Sequence, residues 1–137
     1  MINRMDDELR ELAKRFVENK HWAWWPGMGF DHHDGRTGRL LMTPLGEKVC
    51  VIIGEFRGLA KTMVPLADIL PDPMDPGTYG CLIALLRTVF QDDMQTRRVS
   101  CQPNKWAVVD GDGNIISEAE GFYAETMAIL FALEAKQ

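Results

Sequence analysis

Three prolines within six residues, Pro71, Pro73 and Pro76 in the run DILPDPMDPGTYG, set the strongest constraint on how this 137-residue chain folds. Proline lacks the backbone N–H and fixes φ, so neither a helix nor a central strand passes through the run, which is expected to be a stiff connection. It ends on a helix start, with Asp75 placed as the cap and Pro76 at the first helical position. The helix predicted from there to Gln91 is apolar on most sides (Tyr79, Leu82, Ile83, Leu85, Leu86, Val89, Phe90) and is expected to be the central buried helix.

Upstream, Met5, Leu9, Leu12, Ala13, Phe16 and Val17 recur at helical spacing over residues 5–20. Asp6, Asp7 and Glu8 come early and Lys14, Arg15 and Lys20 late, an order that complements the helix dipole, and Asn3 is a candidate cap. Pro26 with Gly27 and Gly29 ends this helix in the segment HWAWWPGMG. The turn-rich FDHHDGRTG reads as an exposed loop entering a strand at Arg39–Thr43. Residues 48–56, KVCVIIGEF, read as a buried strand that pairs with it across Pro44–Glu47. Leu59–Leu66 has a mixed pattern weakened as a strand by Pro65.

Downstream, Arg97–Cys101 and Trp106–Val109 read as strands, and the DGDGN turn into Ile115 and Ile116 is a hairpin signal. Ser117 with Glu120 reads as a capping box opening a last helix that faces Phe122, Tyr123, Met127, Leu130 and Leu133 inward. No strand–helix alternation supports a parallel doubly wound sheet. The expected fold is α+β, a single domain over 1–137, with an antiparallel sheet of two hairpins and about three helices packed mainly on one face.

The hydrophobic share of 46% and charged share of 26% are those of an ordinary globular chain. No apolar run reaches the roughly 18 residues of a membrane span, so no membrane partner is expected. The charged amphipathic start is unlike a signal peptide, and three irregularly spaced cysteines, Cys50, Cys81 and Cys101, fit a reducing cytoplasm without disulfides. A net charge of −5 argues against sequence-independent nucleic-acid binding, while Arg36 with Arg39 and Arg97 with Arg98 leave room for a local positive patch.

Three pieces of the chain carry a resemblance. They are the turn of Trp24, Trp25, Pro26, Gly27 and Met28, the stretch holding Pro71, Asp72, Asp75, Pro76, Thr78, Gly80, Cys81, Leu82 and Leu85, and the final strand, turn and helix. Together, about half the chain, they resemble small uncharacterised proteins encoded by tailed phages and prophages. The resemblance implies a setting, the bacterial host cytoplasm, and brings no catalytic residues.

Chemistry-bearing sets are few. His32 and His33 within DHHD suit transition metals, but adjacent side chains diverge in an extended chain and no second ligand pair is visible, so a solvated loop and no metal are expected. Asp110–Ile115 places Val108 and Ala119 where an EF-hand needs its first and twelfth ligands, which favours the hairpin. Two serines, one read as a cap, and a cysteine in the second turn of a helix give no nucleophilic set, and the glycines match no phosphate-cradling loop. Trp22, Trp24 and Trp25 are read first as rings that lock the first helix onto the sheet, and second as a surface cluster.

The leading functional expectation is a non-enzymatic, phage-type binding protein that engages a host protein, as a counter-defence inhibitor does, with no cofactor. Binding is expected at Trp22, Trp24, Trp25, His32, His33, Arg36 and Arg39, with Arg97 and Arg98 as the alternative patch. The alternatives are a protein that sequesters a nucleotide through aromatic stacking and paired arginines, and thirdly a metal- or thiol-dependent enzyme. Homo-oligomerisation is left open.

Overall fold

The computed structural model describes residues 5–42, 48–52, 63–99 and 102–136. The chain clusters into two compact units, Met1–Val17 with Ala23–Cys81 and Glu18–Trp22 with Leu82–Gln137.

In the first unit, α1 (Asp7–Glu18) buries Leu9, Leu12, Ala13 and Phe16, as the spacing predicts. Its cap is Asp6, whose Oδ1 accepts the Leu9 N–H at 2.8 Å. Asn3, the cap expected from the sequence, lies outside the described residues. Strands β1 (Gly29–His32), β2 (Thr37–Met42), β3 (Lys48–Ile52), β4 (Met63–Val64) and β5 (Ile69–Pro71) form an antiparallel sheet in the order β4-β3-β2-β1-β5. The β2–β3 pairing runs from Gly38↔Ile52 to Met42↔Lys48, which is the expected hairpin. Its connection at 43–47 and the expected end of the strand at 53–56 lie outside the described residues.

In the first unit two elements differ from the sequence reading. FDHHDGRTG is not a loop throughout, because Gly29–His32 is a strand buried at every position between β2 and β5. The proline-rich run contributes the missing partner. β5 occupies the sheet edge, where Pro71 is tolerated because an edge strand leaves one row of backbone groups unpaired.

Helix α2 (Pro76–Phe90) starts where Asp75–Pro76 directs it, with Asp75 Oδ2 accepting the Thr78 N–H at 3.1 Å. Leu82, Leu85 and Leu86 are buried, whereas Gly80, Arg87 and Thr88 are exposed, so the helix keeps one solvated side. In the second unit, β6 (Gln95–Arg98), β7 (Lys105–Val109) and β8 (Ile115–Glu120) form an antiparallel sheet in that order. Helix α3 (Ala124–Ala135) packs on all three strands. The Asp110–Asn114 turn closes the β7–β8 hairpin with Gly113 at φ +84°, and Asp110 Oδ1 accepts the Asp112 and Asn114 N–H groups at 2.9 Å each. The capping box is not formed. Ser117 lies inside β8, where the ladder to β7 captures residues 115–120, and its hydroxyl donates to the Ala128 carbonyl at 2.6 Å. The helix therefore begins at Ala124, and Phe122, expected to face inward, is 83% exposed.

Among the described residues the fold is thus α+β, with three α-helices and antiparallel strands shared between a five-stranded and a three-stranded sheet. Among the described residues, no helix is long and apolar enough to cross a membrane.

Candidate functional site

The β1–β2 hairpin is anchored to the start of α2 by a polar clamp. Arg39 forks onto Asp75, Nη1 to Oδ2 at 3.0 Å and Nη2 to Oδ1 at 2.9 Å, while Nη1 also donates to the Gly27 carbonyl at 2.6 Å. Thr78 Oγ1 accepts the Gly29 N–H at 2.9 Å and donates to the Gly29 carbonyl at 3.2 Å. The groups stand so close that a Cβ on Gly77 falls 2.3 Å from the Gly27 carbonyl oxygen and 2.6 Å from Arg39 Nη1. Hydrogen bonding by Arg39, above all, holds the Asp75 carboxyl below its ordinary range, and Asp75 in turn raises the Arg39 guanidinium. Arg39, expected as a binding residue, is therefore committed to this clamp.

Beyond the clamp the hairpin closes through a tight turn. The His32 N–H donates to the Arg36 carbonyl at 2.7 Å and the Gly35 N–H to the His32 carbonyl at 2.9 Å, with Gly35 at φ +93°. Asp34 organises the turn by accepting from the Arg36 backbone at 3.0 Å and from Arg36 Nε at 2.6 Å. Its carboxyl is lowered to about 2, chiefly by the backbone hydrogen bond from Arg36. Arg36 is thus also engaged locally.

The register of β1 against β5, Asp31↔Leu70 and His32↔Ile69, places the next pair, His33 and Asp68, opposite each other, and the His33 N–H donates to the Asp68 carbonyl at 3.2 Å. The imidazoles of His32 and His33 do not diverge. The strand ends at His32, the turn carries His33 around, and the ring centroids lie 4.1 Å apart. One ligand atom from each of His32, His33 and Asp68 falls within 4.8 Å of the others. Asp34 Oδ1 stands 2.8 Å from His32 Nδ1, and a carboxylate on one imidazole nitrogen fixes the orientation of the ring, a common support of metal-ligating histidines. His32 is only 6% exposed and Asp31 2%, so the first half of DHHD is buried strand, whereas His33 and Asp34 lie exposed in the turn as expected of the motif. A cavity of about 230 Å³ opens beside this cluster, lined by Arg10 and Lys14 of α1, by Asp31 and His33, and by Ala67–Leu70.

The remaining expected residues lie elsewhere. Trp22, Trp24 and Trp25 are each half-buried. Arg97 and Arg98 are exposed on the edge strand β6, with the Arg98 guanidinium 5.6 Å from the Trp106 ring centroid. Burial, more than the nearby Asp75 charge, pushes the Cys81 thiol up, opposite to what a nucleophile needs. Asp68 and Asp75, the partners that matter, carried no local signal beyond helix-flanking acids. No protein-family model, curated protein or solved structure matches the chain.

Proposed function

We propose that the protein binds a divalent transition-metal ion of the zinc class through His32, His33 and Asp68. The observation that carries this reading is the convergence of two imidazoles and a carboxylate to within 4.8 Å, His32 from the end of β1, His33 from the turn after it and Asp68 from the residue just before β5. Zinc takes such nitrogen and oxygen ligands at about 2.0–2.2 Å, so the set closes on an ion by contracting roughly 1 Å, which the exposed turn position of His33 allows. The recognition segment expected over Trp22–Arg39 narrows to its histidine turn, since Arg39 and Arg36 are engaged within the fold. The host partner implied by the phage resemblance belongs to the same proposal, with the ion-pinned turn as its contact surface.

Calorimetric titration with zinc and thermal melts test the reading. An ion at about 100 times its Kd stabilises the folded state by roughly 2.7 kcal/mol, enough for a measurable rise in Tm. The expected result is such a rise in the parent and none in His33→Ala with Asp68→Asn, whose metal-free melting stays close to the parent's. A zinc response that survives in that variant, or is missing from the parent, refutes the site. Retention of a partner that is insensitive to chelator removes the host part.

A further inference from the structure

We infer that the cavity beside His33 and Asp68 takes a small phosphate-type oxyanion, bound jointly by the metal ion and by Arg10 and Lys14. The inference rests on the metal reading above and adds a ligand class to it. Three protein ligands leave a tetrahedral ion one open position, and two of the three, His33 and Asp68, line the cavity. Arg10 and Lys14 stand one helical turn apart on α1 and line the same space, so an incoming ligand meets a planar fork, an ammonium and a metal together. A tetrahedral oxyanion has an oxygen for each. Among the described residues the Arg10 guanidinium has no ion-pair partner, and Lys14 is held only by an exposed pair with Glu11 at 3.3 Å.

The opposing groups set an order of binding. Asp31 and Asp68 line the same cavity as the two basic side chains, two acids against two bases, so without a metal no excess of positive charge invites an anion. A divalent ion on the cluster tips that balance, and the anion then follows the metal. Size narrows the ligand class. At about 230 Å³ the space holds several waters or a small ion, and it falls below the roughly 300 Å³ at which drug-sized sites begin, which disfavours the nucleotide considered from the sequence.

Cobalt(II) replaces zinc as the spectroscopic probe, with inorganic phosphate and glycerol 3-phosphate as separate arms that distinguish the free ion from a phosphomonoester. The expected result is a change in the visible cobalt spectrum that saturates with phosphate, together with no phosphate binding to the metal-free protein by calorimetry. Arg10→Gln with Lys14→Gln is expected to keep cobalt affinity within about threefold while phosphate binding weakens at least tenfold. Circular dichroism confirms that the variant is folded, and Arg10→Lys restores part of the response. Cobalt binding with no phosphate effect, phosphate binding without metal, or an unchanged phosphate affinity in the double variant overturns this inference alone. Failure of the parent to take cobalt overturns the metal reading and the inference with it.

Discussion

Gly77 and Gly80 lie three residues apart in α2 and in the same compact unit, yet Gly→Ala is expected to act with opposite sign at the two positions. Intrinsic helix propensity favours alanine by up to about 1 kcal/mol at either. At Gly80 the new Cβ meets nothing within 4 Å and the residue is exposed, so the propensity gain should appear nearly undiminished. At Gly77 the Cβ falls 2.3 Å from a backbone oxygen, Gly27 O, and 2.6 Å from Arg39 Nη1, so the clamp must open. Overpacking of this kind costs about 1–3 kcal/mol, and each weakened hydrogen bond to a charged group adds roughly 1.5–3 kcal/mol. The steric terms exceed the propensity gain, and a net loss of about 2 kcal/mol follows. Urea denaturation measures both variants. With a slope of about 1–3 kcal/mol/M, Gly77→Ala should lower the midpoint by roughly 1 M and Gly80→Ala should raise it. If both substitutions stabilise the protein, the close approach of α2 to the β1–β2 hairpin is wrong.

The clamp also has a pH signature. Because Arg39 depresses the folded-state Asp75 carboxyl, the unfolded chain takes up a proton first as pH falls, so the stability from this group is present above 3.8 and lost below it, through the lower folded value. Asp75→Asn should flatten that acid-side loss while Asp34 and Asp110, also held low, keep their share; an unchanged profile between parent and variant in acid titrations of stability contradicts the assignment. Leu86 is fully buried in α2, so Leu86→Ala should cost about 2–5 kcal/mol by leaving a cavity, and near-neutrality in denaturant melts counts against its core position.

What the sequence determined by itself was local. The apolar spacing of α1, the Asp75–Pro76 start of α2 and the Asp-Gly turn between β7 and β8 each follow from groups a few residues apart, and each stands in the structure where the pattern put it. The α+β class followed from their order. Where a local signal competed with a ladder it lost. Ser117 and Glu120 have the spacing of a capping box, yet pairing with β7 took both into a strand. The site was decided by register alone. DHHD advertises its histidines, but nothing near it names Asp68, which arrives because β5 pairs with β1 at one particular alignment, and Arg39 meets Asp75 from 36 residues away for the same reason. A one-residue slip in that ladder turns every side chain of the strand to the other face, and no propensity of the strand itself encodes which alignment holds. Burial of β1 between two strands supplies that choice, and the turn after His32 brings the second imidazole back beside the first, so that the two histidines and Asp68 converge.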